Sequence, residues 1–340
     1  MPQGSWVTDV VVGVDLGGTK TAAATVGPDG ALGPVRTVPT PGPAGPDAVL
    51  DAVAGLVREV VAAVPVRAGH VARLRGLGVG TAGVIDVGRG VVVSATDTLP
   101  GWPGTDVAGG LRRRLADLAV PDATGNPAPL PVFVENDVDA HAAGEVWLGA
   151  AAGARSALLV AVGTGIGGAV VLDGRPLRGA HHVAGELGHA PVPGAELMRC
   201  TCGREGHVEA IGAGPAIHRR YLALGGDAAS PDTRDVVARA VAGDELAASV
   251  VRDAAQAVGR AVAAVVTVLD PEVVVVGGGM AGAGDLWWSA LEDTLRAEVV
   301  DVLADLPLRP AALGNAAAVV GAARGAWNLV EDVTTVGGTR

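Results

Sequence analysis

Between Ala184 and Glu209 the chain places both of its cysteines, Cys200 and Cys202, one residue apart. His189 precedes the first by eleven residues and His207 follows the second by five. Two thiolates and two imidazoles are enough to close a tetrahedral zinc site. His181 and His182 are nearby competitors for a ligand position. Glu186 and Glu209 flank the cluster, so a zinc-pinned loop would present polar groups to a substrate.

Three further stretches carry chemistry. Asp15-Leu16-Gly17-Gly18-Thr19-Lys20 falls between two short β-branched runs, the pattern of a tight hairpin. Its glycines let backbone N–H groups approach a ligand closely, Thr19 adds a hydroxyl, and Lys20, the sole lysine, adds a cation. Asp15 at the strand end could hold a metal ion through water. Gly163 to Gly168 (GTGIGG) repeats the pattern of strand, Gly/Thr-rich turn and strand. The likeness of Val10–Val26 to Ala157–Leu172 suggests an internal duplication, and two such hairpins could hold one phosphate chain. Asn136 and Asp137 follow a strand at Pro131–Glu135. One reading is the N-cap of a helix; the other is a carboxylate at a strand tip, placed to accept a proton.

The elements that must position these residues alternate between strand and helix, as in an α/β fold. Strands are expected at Val10–Val14, Thr21–Val26, Leu77–Val79, Val91–Val93 and Val273–Val276. Helices are expected at about 48–64, from Asn136 to about Leu148, before Leu269, from about Asp285 and from about 316 to 330. The tail from Val336 is expected to be loose. The Pro-rich stretch 121–131 is the best boundary, giving domains 1–130 and 131–340. The loop Asp97–Trp102 and the turn Gly80–Val84 are expected to shape a pocket, Trp102 lining it or capping the core.

Composition narrows the classes. With 49% hydrophobic residues but only 2% aromatic, a 340-residue chain must build its core from Val, Ala and Leu. A net charge of −11 argues against nucleic-acid binding, which needs a basic surface. The two cysteines are too close in sequence to staple a fold, which favours a reducing cytoplasm. The first residues lack the basic region of a leader peptide, and the longest uncharged run, Ser156–Leu172, is shorter than the ~20 residues of a membrane span.

In their order, DLGGTK (Asp15–Lys20), Asn136-Asp137, GTGIGG (Gly163–Gly168), GELGH (Gly185–His189), CTCGREGHVE (Cys200–Glu209) and LDPE–GGG (Leu269–Gly279) resemble the ROK family of sugar kinases, open reading frames and repressors. The resemblance implies the duplicated actin-like ATPase (RNase H-like) fold, two α/β domains closing over a cleft, with the last helix packing back on the N-terminal one. It implies ATP phosphates on Asp15, Gly17, Gly18, Thr19 and Lys20 and on Gly163, Thr164 and Gly165, with the nucleoside near Gly277, Gly278 and Gly279. The sugar would lie against Asn136, Asp137, Glu186, His189 and Glu209, with Gly83 close by. Structural zinc would be held by His189, Cys200, Cys202 and His207. His207 departs from the family, which usually has a third cysteine there, but a neutral imidazole also ligates zinc.

The implied reaction is ATP-dependent phosphorylation of a hexose at its 6-hydroxyl. Glucose is the first choice; N-acetylmannosamine, N-acetylglucosamine, fructose and allose are the alternatives. Asp137 would be the general base, its pKa expected low at a helix N-terminus, and Mg²⁺ would be held through Asp15 and water. Family repressors carry a helix-turn-helix before the DxGGT strand. Here that strand begins about ten residues from Met1, so a kinase is expected over a sugar-sensing regulator. A homo-oligomer, dimer or tetramer, is implied, with no nucleic acid and no membrane as partner.

Overall fold

The β-branched run around Val10–Val14 lies within the long first strand of a five-stranded sheet. The computed structural model describes residues 6–64, 70–95, 99–118, 120–121 and 126–337. Its first strands are β1 (Trp6–Leu16), β2 (Lys20–Val26), β3 (Arg36–Pro39) and β4 (His70–Thr81). Two small hairpins follow, β5 (Val84–Asp86) with β6 (Val91–Ser94) and β7 (Val120–Pro121) with β8 (Pro127–Ala128), and then β9 (Val132–Asn136). The sheet order is β3-β2-β1-β4-β9. Strand β2 runs antiparallel to β1 and β3, whereas β1, β4 and β9 are mutually parallel.

A second sheet repeats this plan strand for strand. Its members are β10 (Ala157–Val162), β11 (Ile166–Leu172), β12 (Arg175–Pro176), β13 (Val274–Gly277) and β14 (Leu308–Pro310), in the order β12-β11-β10-β13-β14. The two hairpin pairs are antiparallel, and β10, β13 and β14 are parallel. The likeness between Val10–Val26 and Ala157–Leu172 is therefore a likeness of topology.

The chain forms two compact units, Met1–Ala152 with Arg178–Val183 and Leu313–Arg340, and Gly153–Leu177 with Ala184–Ala312. This division differs from a boundary at 130/131. Strand β9 pairs with β4, which keeps Asn136 and Asp137 in the first unit.

In the first unit, α1 (Pro46–Ala62) buries Val49, Leu50, Val53, Val57 and Val60, the stripe expected of an amphipathic helix. Helices α2 (Val107–Arg114) and α3 (Asp137–Leu148) follow. Trp102 is fully buried in this core with Leu111 and Val79, so it caps the core. Asp97 and Thr98 of its loop, with Thr96 before them, lie outside the described residues.

The second unit carries α4 (Glu209–Gly212), α5 (Gly214–Ala223), α6 (Thr233–Val241), α7 (Glu245–Leu269) and α8 (Asp285–Glu298). Asp244 caps α7 by accepting from the Ala247 N–H at 3.0 Å, and Asp270 ends it in the left-handed region.

The last helix, α9 (Ala317–Gly337), returns to the first unit and packs on β1, β4 and α3. It runs past Val330 because neither proline nor glycine occurs between Val330 and Gly337. Its approach is backbone to backbone: a Cβ on Gly321 would overlap the Ala140 carbonyl oxygen of α3, and one on Gly78 would overlap the Ala322 carbonyl of α9. Only glycine permits that contact. Among the described residues no helix is long and apolar enough to cross a membrane.

Candidate active site

The first unit gathers Asp15, the DLGGTK turn, Asn136 and Asp137 at the carboxyl ends of its parallel strands, where α/β sheets bind ligands. The turn is closed by the Gly17 N–H donating to the Lys20 carbonyl at 3.1 Å. Thr40 braces it from β3's end. Its hydroxyl donates to the Gly17 carbonyl at 2.8 Å, its N–H donates to the Thr19 carbonyl at 3.0 Å, and its hydroxyl also bonds that of Thr21 at 2.8 Å. Thr40 carries no motif and escapes a reading of sequence alone. Thr19 and Lys20 are exposed.

Asn136 is the N-cap of α3. Its Oδ1 accepts from the N–H groups of Val138 at 2.8 Å and Asp139 at 3.3 Å. Its Nδ2 donates to the Gly83 carbonyl at 2.9 Å, which ties the Gly80–Val84 turn to the start of α3. Asp137 is therefore the first helical residue, half-buried, with Oδ1 accepting from the Val138 N–H at 3.0 Å.

A low pKa for Asp137 is not what this environment produces. Burial pushes its carboxyl above the ordinary aspartate value, and His141, one turn further along α3, and the backbone hydrogen bonds offset only part of that. Desolvation outweighs both. Burial also raises Asp15, with the negative charge of Asp137 adding to the effect and His141 and Lys20 opposing it.

The strand end is held by a network the motifs do not announce. Arg178 Nη2 donates to Glu135 Oε2 at 2.5 Å and Nη1 donates to Asp139 Oδ2. Glu135 is buried, and desolvation raises its pKa to about 7 despite Arg178.

The second unit presents the other hairpin. Gly163 N–H donates to the Gly165 carbonyl at 2.9 Å, and the Gly163 carbonyl accepts from Gly214 N–H at 2.8 Å, which fixes the turn against α5. Beside it opens a cavity of about 660 Å³ lined by Gly163, Thr164, Pro215, Thr233, Arg234, Gly279 and Met280, among others. Of the GGG run, Gly279 reaches this cavity. Gly277 ends β13, and Gly278 packs on the Val162 backbone of β10. Thr233 and Arg234 open α6 behind the N-cap Asp232, which accepts from the Asp235 N–H at 3.0 Å. That capping pattern is the only sequence signal they carry.

The GELGH segment rests directly on this hairpin. A Cβ on Gly188 would overlap the Ile166 carbonyl of β11, so the turn Leu187–His189 sits against the strand. The chain from Ala190 is then paired with the return strand: Val208 N–H donates to the Ala190 carbonyl and Val192 N–H to the Gly206 carbonyl, each at 3.0 Å. This ladder brings His189, Cys200, Cys202 and His207 together, with one ligand atom of each within 4.8 Å of all the others. Cys200 Sγ is 3.6 Å from His189 Nδ1, and Cys202 Sγ is 3.3 Å from His207 Nδ1. Those spans match the ~3.3–3.8 Å edges of a tetrahedron built on zinc bonds of about 2.0–2.3 Å. His181 and His182 belong to the segment that packs with the first unit and are not in the cluster.

His189 keeps its other nitrogen for a second partner, since Nε2 lies 3.9 Å from Glu186 Oε2. Glu209 starts α4 between the cluster and the hairpin. Its Oε2 accepts from Ile166 N–H at 3.0 Å, while Oε1 accepts from the hydroxyl of Thr201 and the thiol of Cys200.

Comparison with known proteins agrees with this architecture. The model of the ROK family matches residues 11–328. A glucokinase of Halalkalibacterium halodurans is 32% identical over 332 residues, covering 93% of this chain and 93% of that protein. The crystal structure of a ROK hexokinase from Thermus thermophilus superposes with a TM-score of 0.80 at 38% identity, covering 95% of this chain and 99% of the other. A ROK glucokinase from Streptomyces griseus, solved in complex with glucose and AMPPNP, gives a TM-score of 0.73 at 28% identity over 94% and 99% of the two chains. With its duplicated mixed sheets and its ordered motifs, this chain belongs to the ROK family, has the actin-like ATPase fold and is a sugar kinase.

Proposed function

We propose that this chain transfers the γ-phosphoryl group of ATP to the 6-hydroxyl of glucose, with Asp137 as general base. The observation that carries the reading is Asp137 itself: a half-buried carboxylate at the tip of a parallel strand, its pKa raised by desolvation. A raised pKa makes a better base at neutral pH than a helix-terminal aspartate in water. Oδ1 is held by Val138 N–H, leaving the second oxygen to take the proton. As the sugar oxygen bonds to the γ-phosphorus, the bond to the β,γ-bridging oxygen breaks and ADP leaves. Catalysis of this kind is mainly positioning and electrostatics.

Backbone N–H groups of Gly18 and Thr19 in one turn and of Thr164 and Gly165 in the other, with the side chains of Thr19, Thr164 and Lys20, would face the phosphates; Gly17 and Gly163 close the turns with their own N–H groups. The cavity beside Thr164 and Gly279 would take the nucleoside. Asn136, Glu186, His189 and Glu209, with Gly83 behind Asn136, supply the donors and acceptors that sugar hydroxyls need. Asp15 and Asp137, two carboxylates that burial pushes toward neutrality, suit a divalent cation held through Asp15 and water. Bound Mg²⁺ supplies positive charge to the phosphates. In the His189, Cys200, Cys202 and His207 cluster, zinc would act as a brace that orients Glu186, His189 and Glu209. The unpaired cysteines and the use of ATP fit a cytoplasmic enzyme. A dimer or tetramer is the assembly the family resemblance suggests.

The test is turnover of Asp137→Asn. A base of this type contributes on the order of 10²–10⁴ in rate, so kcat should fall by about that factor while KM for ATP holds. Wild-type turnover would remove Asp137 from the role. An ADP-release assay across hexoses should rank glucose first by at least about tenfold; a preference for N-acetylmannosamine would move the reading to an amino-sugar kinase.

A further inference from the structure

Glu135, Asp137 and Asp139 alternate along the passage from β9 into α3. The two outer carboxylates are buried, with side chains 1% and 13% exposed, and both are bound by one arginine, Arg178. The two terminal nitrogens, Nη1 and Nη2, serve different carboxylates. A planar, rigid fork engaged at both tines fixes the span between the strand end and the first helical turn. Asn136 and Asp137 lie inside that span. Asn136 is fixed by its own bonds to Val138, Asp139 and Gly83.

Stability does not account for the clamp. Taking three charged groups out of water costs energy that ion pairing only partly offsets, and apolar replacements of buried ion networks are often neutral or stabilising. Glu135 Oε1 is buried with no hydrogen-bond partner among the described residues, so the network is not optimised for stability. Its chain path is also unusual. Arg178 opens the six-residue segment Arg178–Val183, which packs with the first unit although the sequence on both sides belongs to the second.

We propose that Arg178 is a positioning residue for phosphoryl transfer: by clamping Glu135 and Asp139 it fixes the β9–α3 junction, and with it the Asp137 carboxylate. The proposal rests on the reading of Asp137 as the base. Arg178 touches no substrate in this role. A shift of about 1 Å in a reacting group can cost on the order of 10²-fold in rate, and the clamp prevents a shift of that kind.

Two variants test it. Arg178→Lys keeps the charge but offers a point donor that cannot span both carboxylates. The triple variant R178M/E135Q/D139N removes all three charges together and strands none. Both should fold, with kcat lowered about 10- to 100-fold and KM for ATP within about twofold of wild type. Wild-type kcat in either folded variant would overturn the proposal. Loss of folding in both would also overturn it, because the network would then serve stability.

A double-mutant cycle separates this proposal from the base assignment. If Arg178 acts through Asp137, then Arg178→Lys should cost little more in an Asp137→Asn background, and the two effects should be strongly non-additive. Full additivity would defeat the positioning role and leave the base intact. Wild-type turnover by Asp137→Asn alone would defeat the base reading whatever Arg178 does.

Discussion

At the scale of single residues, the base role proposed for Asp137 predicts how the enzyme responds to pH. A base must be deprotonated to accept the sugar proton, so activity is lost as pH falls through its pKa. Burial raises that pKa, and the ascending limb of kcat/KM should therefore lie above the ordinary aspartate value of 3.8. His141 and the backbone bonds oppose the rise, and Asp15 is the acidic neighbour. Replacing His141 by Gln should move the limb further up, read from kcat/KM profiles of the two proteins. Glu135 gives a second, independent signature. Its folded-state pKa of about 7 exceeds the ordinary 4.5, so between those values the folded protein holds a proton that the unfolded chain has released. Its contribution to stability therefore falls as pH rises through that window. Glu135→Gln should flatten this slope, measured as denaturation midpoints at about pH 5 and about pH 7.5.

At the scale of elements, the zinc-type loop and the hairpin β10–β11 form one assembly. Glu209 bonds Ile166 of the hairpin with one oxygen and contacts Thr201 and Cys200 with the other. If zinc is the brace and these groups face the sugar as proposed, removing it should loosen Glu186, His189 and Glu209 before it affects phosphoryl transfer. Chelation, or His207→Ala, is expected to raise KM for glucose about tenfold or more, with a smaller change in kcat. Metal analysis of the purified protein should find about one zinc per chain, and His207→Cys should retain it. An unchanged KM in metal-free, folded protein would separate the loop from sugar binding.

At the scale of the whole molecule, the chain's end is built into the unit that its beginning forms. Helix α9 lies against β4 at Gly78 and against α3 through its own Gly321, contacts that leave no room for a side chain. Gly321→Ala must push α9 away from α3 or distort both. Overpacking of this kind costs roughly 1–3 kcal/mol, occasionally more. The expected outcome is a lower denaturant midpoint with an unchanged slope, measured in urea. Wild-type stability would show that the helix pair can separate freely.

Residue types and short-range patterns were enough to mark the hairpins at Gly17–Gly18 and Gly163–Gly165, the strand before Asn136, and the four metal-type ligands. Each of these depends on local backbone chemistry or on spacing that survives without tertiary context. The repeated strand, turn and strand pattern likewise announced a duplicated α/β fold before the matching sheets were visible. Tertiary structure alone decided the rest. Whether 131–148 joins the first or second unit depends on β9 pairing with β4, a contact between distant segments. The direction of the Asp137 pKa turned on burial, which outweighs His141 and the backbone hydrogen bonds. Thr40, Arg178 and Arg234 stand in no motif and act from far along the chain or from a cavity wall. The reason is the same in each case: desolvation, ion pairing and cavity shape are set by residues remote in sequence, and no local pattern encodes them.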